Sequence, residues 1–243
     1  MNVNTFAAAL SALAACVIGG SPGAHALLID TFDAGSLGFV PAGTTADSQV
    51  AGAMLGGERD ESVTNTSATG GILAGAGGGA YGYGAIGAAG SGLLSWDGAD
   101  ASAALDAKGL DGADFTEGAT HGALSIEILS NDIAAPLILT VYTSATEFSQ
   151  ITVATPGGIP GGPALTLEIP FASFVPTGAG ADFANVGAFT LEIVGLTEPQ
   201  LDLTLGSIAT APLAVPDPGT FALLGLGLVM LARWSGQHYR SLS

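Results

Sequence analysis

Positive charge is what this chain has least of. Four Lys and Arg side chains stand against 21 Asp and Glu in 243 residues, a formal charge of −17 at pH 7. A surface that acidic repels nucleic acid and anionic lipid, so no nucleic acid is expected as a partner. Cysteine occurs once, as Cys16, which excludes a disulfide framework. Histidine occurs three times, and His121 is the only one between residues 27 and 216, which excludes a histidine-rich metal centre there. A Ser-His-Asp triad would have to use His121. That residue lies in a Thr-His-Gly turn, and no Gly-x-Ser-x-Gly elbow occurs in residues 27–216. An exposed turn histidine is the expectation. Aromatics make up 7% of the chain. Paired carboxylates are plentiful enough for glycoside hydrolysis, but the aromatic lining of such clefts is scarce. No catalytic residue is assigned and a secreted hydrolase is kept as the third alternative.

What the chain does have begins at its two ends. Residues 6–18 are apolar or small, and Ala24-His25-Ala26 is a small-x-small cleavage site, so residues 1–26 read as a secretory signal for the Sec translocon and signal peptidase. Leu13-Ala14-Ala15-Cys16 leaves open a lipobox with a lipidated Cys16. At the other end, Val215-Pro216-Asp217-Pro218-Gly219 precedes an apolar run over residues 220–232, followed by Arg233, Trp234 and Arg240. The prolines hold the backbone extended and let a helix start only after Pro218. The run can cross a bilayer if Trp234 sits at the interface and Arg233 snorkels. The two arginines then place the end of the chain in the cytoplasm.

This tail resembles the PEP-CTERM sorting signal: a Pro-Glu-Pro motif, an apolar helix and a basic cluster. Pro216, Asp217 and Pro218 align with the motif, with Asp in place of Glu. The resemblance implies an exosortase substrate, anchored in the inner membrane through the C-terminal helix before processing and then placed at the cell surface or in the extracellular matrix, with exopolysaccharide or biofilm. The tail divides into a linker and motif (211–219), a membrane helix (220–234) and a cytoplasmic end (235–243).

Between the ends, residues 27–210 read as one domain. Of the 21 acidic side chains only Asp217 lies outside residues 27–216, and of the four basic ones only Arg59 and Lys108 lie inside. Short β-prone runs separated by Gly, Pro, Asp and Asn recur at 27–32, 62–66, 72–73, 92–96, 124–129, 137–142, 150–154, 165–169, 188–194 and 201–208. Leu124, Ile126 and Ile128 alternate with Ser125 and Glu127, so that strand buries one face and wets the other. The expected fold is mainly β: a single antiparallel sandwich or jelly roll flanked by an N-terminal signal helix and a C-terminal hydrophobic helix.

The order of these runs, with Leu28-Ile29-Asp30-Thr31-Phe32, Pro170-Phe171-Ala172-Ser173-Phe174 and Ala181-Asp182-Phe183-Ala184-Asn185-Val186-Gly187, resembles the galactose-binding-like jelly rolls of many carbohydrate-binding modules. The resemblance implies first and last strands that pair. The main expectation is a non-catalytic matrix protein; the alternative is a carbohydrate-binding module that holds exopolysaccharide.

Four candidate sites follow. Residues 70–92 are nearly half glycine with Tyr81 and Tyr83 as their aromatics. They read as a flexible loop or glycine-laced edge strand, or else as a mobile lip that stacks both tyrosines on a sugar. Arg59 reads as a structural ion pair, or as the contact to an acidic sugar. Asp97, Asp100, Asp111 and Asp114 sit in Gly-rich turns that could hold a structural calcium ion. Asp30, Asp33 and Asp202 form a second calcium set if the first and last strands pair. No other cofactor is expected.

Overall fold

The computed structural model describes residues 26–35, 38–159, 161–196 and 200–212. Residues 1–25 of the signal segment, Cys16 and Ala24 among them, and the tail from residue 213, with its sorting motif and apolar run, lie outside the described residues. Among the described residues no helix is long and apolar enough to cross a membrane.

Among the described residues there are fourteen strands: β1 (Leu28–Asp30), β2 (Gly38–Pro41), β3 (Thr45–Ala51), β4 (Glu58–Asn65), β5 (Gly71–Gly77), β6 (Ala80–Ile86), β7 (Gly90–Trp96), β8 (Ala123–Asn131), β9 (Pro136–Ser144), β10 (Glu147–Ala154), β11 (Leu165–Pro170), β12 (Val175–Thr177), β13 (Ala188–Gly195) and β14 (Asp202–Ala211). The first sheet runs β11-β8-β14-β6-β5-β2, with β1 also on β14; the second runs β12-β10-β9-β13-β7-β4-β3. The named strands pair antiparallel throughout. The expected β-sandwich is therefore the fold observed.

One strand shows how the sequence sets the layers. Leu137, Leu139 and Val141 of β9 are fully buried between the sheets, which turns Ile138, Thr140 and Tyr142 to the outer face. In β13 the same alternation buries Phe189, Leu191 and Ile193 and turns Thr190 and Glu192 outward. The core is aromatic at one end: Trp96 stacks on Phe189 at 5.3 Å between ring centroids, and Phe115 meets Phe189 edge-on. Each such side chain, fully buried, contributes roughly 1.5–3 kcal/mol. Both sheets bury their inner faces against each other within residues 26–212, so the domain has a complete core of its own.

First and last strands do pair, Leu28 opposite Ala209 and Asp30 opposite Ile208. On that same edge β14 has already paired Asp202–Leu205 with β6. The glycine-rich stretch 70–92 is neither a loop nor an edge. It forms β5, β6 and β7, the last of them flanked by β4 and β13.

Candidate functional site

The outer face of the second sheet carries a polar row that crosses six strands. Ladder partners run Gln49–Asp60, Asp60–Ser95, Ser95–Thr190, Thr190–Thr140 and Thr140–Gln150. Every position in the row is an amide, a hydroxyl or a carboxylate. Inward-facing neighbours on the four central strands include Glu61, Leu94, Leu191 and Val141, all fully buried, so packing in the core fixes which side chains face outward, where Asp60, Ser95, Thr140 and Thr190 are nearly covered.

Ser95, Thr190, Thr140 and Gln150 floor a groove of about 230 Å³ whose other lining includes Leu93, Leu105, Ile138, Tyr142 and Glu192. Its floor spans three strand spacings, about 14 Å. The Gln150 amide donates to the Thr140 hydroxyl at 3.0 Å, which fixes the amide's orientation. Tyr142 packs on Phe148 at 5.4 Å between centroids and stands at the groove wall. Hydroxyls and an amide along the floor, with leucine, isoleucine and tyrosine on the walls, suit a ligand with polar edges and an apolar face. Glu192 is the one carboxylate among the lining residues, whereas glycoside hydrolysis works with two.

Towards the far end of the row lies an acidic cluster. Asp60 of β4 and Asp97, the residue after β7, lie beside each other, both almost fully buried. Among the described residues no donor group reaches either oxygen of Asp60, and its carboxyl hydrogen-bonds that of Asp97. Burial, followed by the negative charge of Asp97, pushes the Asp60 carboxyl up to about 7. Burial likewise raises Asp97. Glu58, also on this face, accepts from the Ala101 N–H at 3.1 Å, and Asp97 accepts from the Asp106 N–H at 2.7 Å. These bonds tie the segment after β7 down onto the sheet, and Leu105 of that segment reaches the groove.

Several sequence candidates fall elsewhere. Tyr81 and Tyr83 point inward and are fully buried, so they cannot stack on a sugar; they are core residues of β6. Burial raises the hydroxyl of Tyr83 to about 12 and that of Tyr81 further. Arg59 is also fully buried and is closed to an acidic sugar. Its Nη1 donates to Asp30 at 2.6 Å, its Nη2 and Nε to Glu61 at 2.7 and 2.9 Å, and its Nη2 to the Ala34 carbonyl at 2.8 Å. The ion-pair reading of Arg59 is the one the geometry realises.

Asp30 is thereby committed to Arg59, and also accepts from the Trp96 indole at 3.0 Å and the Phe32 N–H at 2.7 Å. Asp202 pairs opposite Gly84, six residues along β14 from the partner of Asp30, about 20 Å away. Asp33 accepts from the Thr31 hydroxyl. The set Asp30, Asp33 and Asp202 is not brought together. Nor is the other set: Asp97 and Asp100 belong to the acidic cluster around Asp60, Asp111 lines a cavity with Lys108 and Asn185, and Asp114 caps its own turn through Thr116 and Gly118. Among the described residues no group of three or more His, Cys, Asp or Glu is arranged around a single metal position. His121 is buried rather than exposed, with Nδ1 2.8 Å from the Thr210 hydroxyl. The chemistry missed in the sequence is the row itself. Its signal was the phase of Thr140, Tyr142 and Thr190 against the apolar residues beside them.

No family model matches the sequence, and no curated protein does. Solved structures similar to it include the family 11 carbohydrate-binding module of the cellulosomal cellulase Lic26A-Cel5E of Clostridium thermocellum, with TM-score 0.36 and 14% identity over 77% of this chain and 95% of that one. A family 11 module from Clostridium thermocellum in complex with a β-1,3-1,4-mixed-linked tetrasaccharide matches with TM-score 0.34 and 13% identity over 74% and 96%. The solution structure of CtCBM11 matches with TM-score 0.36 and 13% identity over 80% and 99%.

Proposed function

We propose that the sandwich is a non-catalytic polysaccharide-binding module that holds exopolysaccharide in the groove on the outer face of the second sheet. The observation that carries this reading is the polar row, floored by Ser95, Thr190, Thr140 and Gln150 and walled by Leu93, Ile138 and Tyr142. A sugar ring offers hydroxyls at its rim and C–H groups on its faces, and the groove offers partners for both. Glu192, without a second lining carboxylate, is a hydrogen-bond acceptor here. The domain, residues 26–212, is expected to bind at least one of a panel of soluble polysaccharides in affinity electrophoresis. Thr140→Val with Thr190→Val keeps shape and removes two hydroxyls. At about 1 kcal/mol each, affinity is expected to fall roughly 30-fold with the melting temperature held. No retardation on any polysaccharide, or an undiminished one in the double variant, would remove the reading and leave a matrix protein without a sugar site.

The location rests on the resemblance of the tail to exosortase substrates. In this reading the chain is exported, anchored through residues 220–234, and cut near Pro216-Asp217-Pro218. Replacing Pro216 and Pro218 with Ala lets helix run back over the cleavable stretch and hides its carbonyls. In a host with exosortase the double variant is expected to stay full-length in the inner membrane while the parent is released. Equal size and distribution of the two on a blot would make the tail a plain anchor.

A further inference from the structure

The charge this domain presents is almost entirely of one sign. Every acidic side chain of the sequence but Asp217 lies in residues 26–212, and no basic one but Arg59 and Lys108. Arg59 is fully buried and neutralised by Asp30 and Glu61. Lys108 lines a cavity with Asp111 and Glu147 and is absent from the lining of the groove. The groove's own charge is Glu192, which the protein covers only in part. Its ladder partners on either side are Leu93 and Ile138, and its neighbours on the same face of β13 are Thr190 and Val194. Among the described residues Arg59 makes the only ion pairs, so none engages Glu192. A cross-strand cation would stabilise a carboxylate on a sheet face; this one has an apolar side chain on each flank.

We propose that the groove selects a polysaccharide of amino sugars whose free amines are protonated, with Glu192 as the acceptor of a sugar ammonium. The proposal rests on the polysaccharide reading of the groove and names the class of chain it takes. A neutral chain gains nothing from the domain's field. A chain of uronates or sulfated sugars brings negative charge up to Glu192 and is repelled. A cationic chain is drawn in by the same field, and its ammonium gives Glu192 the charge-assisted hydrogen bonds that no cation of the protein supplies. Tyr142 stands four residues along β9 from Ile138, the ladder partner of Glu192, about 13 Å away at the other end of the groove. Its ring offers a face to a second ammonium. Between the two ends, Thr140 and Thr190 offer hydroxyls to the sugar rim.

The test titrates residues 26–212 with β-1,4-linked tetramers of glucosamine, N-acetylglucosamine and glucose, at one ionic strength and at a pH where the free amine is protonated. The glucosamine tetramer is expected to bind roughly fivefold tighter than the other two, the worth of one partly exposed ion pair. Glu192→Gln keeps the shape of the side chain. It is expected to erase that preference while the melting temperature and the binding of neutral sugar are held. Glu168→Gln removes the same charge from β11, at the edge of the other sheet, and should leave the preference intact. A glucosamine tetramer that binds no tighter than a neutral one overturns the proposal, and polysaccharide binding then still stands wherever any neutral or acidic chain is retained. A preference that survives Glu192→Gln also overturns it, as does tetralysine displacing the glucosamine tetramer equally well, because either is attraction by overall charge. No binding of any tetramer or polysaccharide removes both readings together.

Discussion

Arg59→Met is expected to cost the sandwich about 3–5 kcal/mol, the range for breaking a buried ion pair from one side. For a domain of this size that lowers the melting temperature on the order of 10 °C. The guanidinium is fully buried and makes four hydrogen bonds, to Asp30, Glu61 and Ala34. It also lies over the Phe32 ring, 5.2 Å from the centroid. Phe32 itself is buried with φ 57°, a left-handed conformation held by its N–H on Asp30. Without Arg59, two carboxylates remain between the sheets with no cation. Arg59→Lys is expected to fail nearly as badly, because an ammonium cannot span the fork that reaches two acids and a carbonyl. Asp30→Asn with Arg59→Met and Glu61→Leu should recover at least half of the loss, since it removes the charges together. Urea denaturation of residues 26–212 checks all three. An Arg59→Met variant within 1 kcal/mol of the parent would show that the network does not hold this end of the core.

The same residue marks how far the sequence could be read. Its type and its acidic neighbours made an ion pair the natural reading. Its burial was hidden, because Glu58-Arg59-Asp60-Glu61 is four charged residues in a row. It is in fact the start of a strand flanked on both sides, where alternate charges face the core and the outside. Strands with apolar alternation, such as β8, β9 and β14, were legible for the ordinary reason that one face is greasy. Strands β2, β3, β6 and β12 were not. β6 alternates tyrosine and alanine with glycine, and its glycines look like a loop until β5 and β14 are placed beside it. Only as a loop could that stretch offer Tyr81 and Tyr83 to a sugar; in β6 both face inward. The groove was missed for a complementary reason: it is assembled from single outward residues on separate strands, and only the register between strands collects them.

Gly109→Ala is expected to detach the wall of that groove while leaving the sandwich folded. A Cβ at Gly109 would sit 1.6 Å from the Asp97 carbonyl oxygen, and neither backbone can yield without moving the segment between them. Gly98 is bound to the same contact: its φ is +97°, and its own Cβ would meet the Gly109 carbonyl oxygen at 2.4 Å. The segment between these glycines therefore lies backbone against backbone on its own base. Beyond it, Leu110 donates to the Gly187 carbonyl, Ala113 exchanges both bonds with Val186, and Phe115 is buried against Phe189. Those contacts keep the return path attached when the loop lifts. The cost should stay near the 1–3 kcal/mol of an overpacked site. Locally the change is larger. Ala101 and Asp106 lose their carboxylate acceptors on Glu58 and Asp97, and Leu105 leaves the groove. Amide exchange at Ala101 and Asp106 is expected to quicken at least tenfold, with polysaccharide retardation reduced and the exchange of β9 and β13 unchanged. Gly161→Ala, which meets no atom within 4 Å, serves as the control. Full protection at Ala101 and Asp106 in Gly109→Ala would mean that the loop is held by something other than its contact with Asp97.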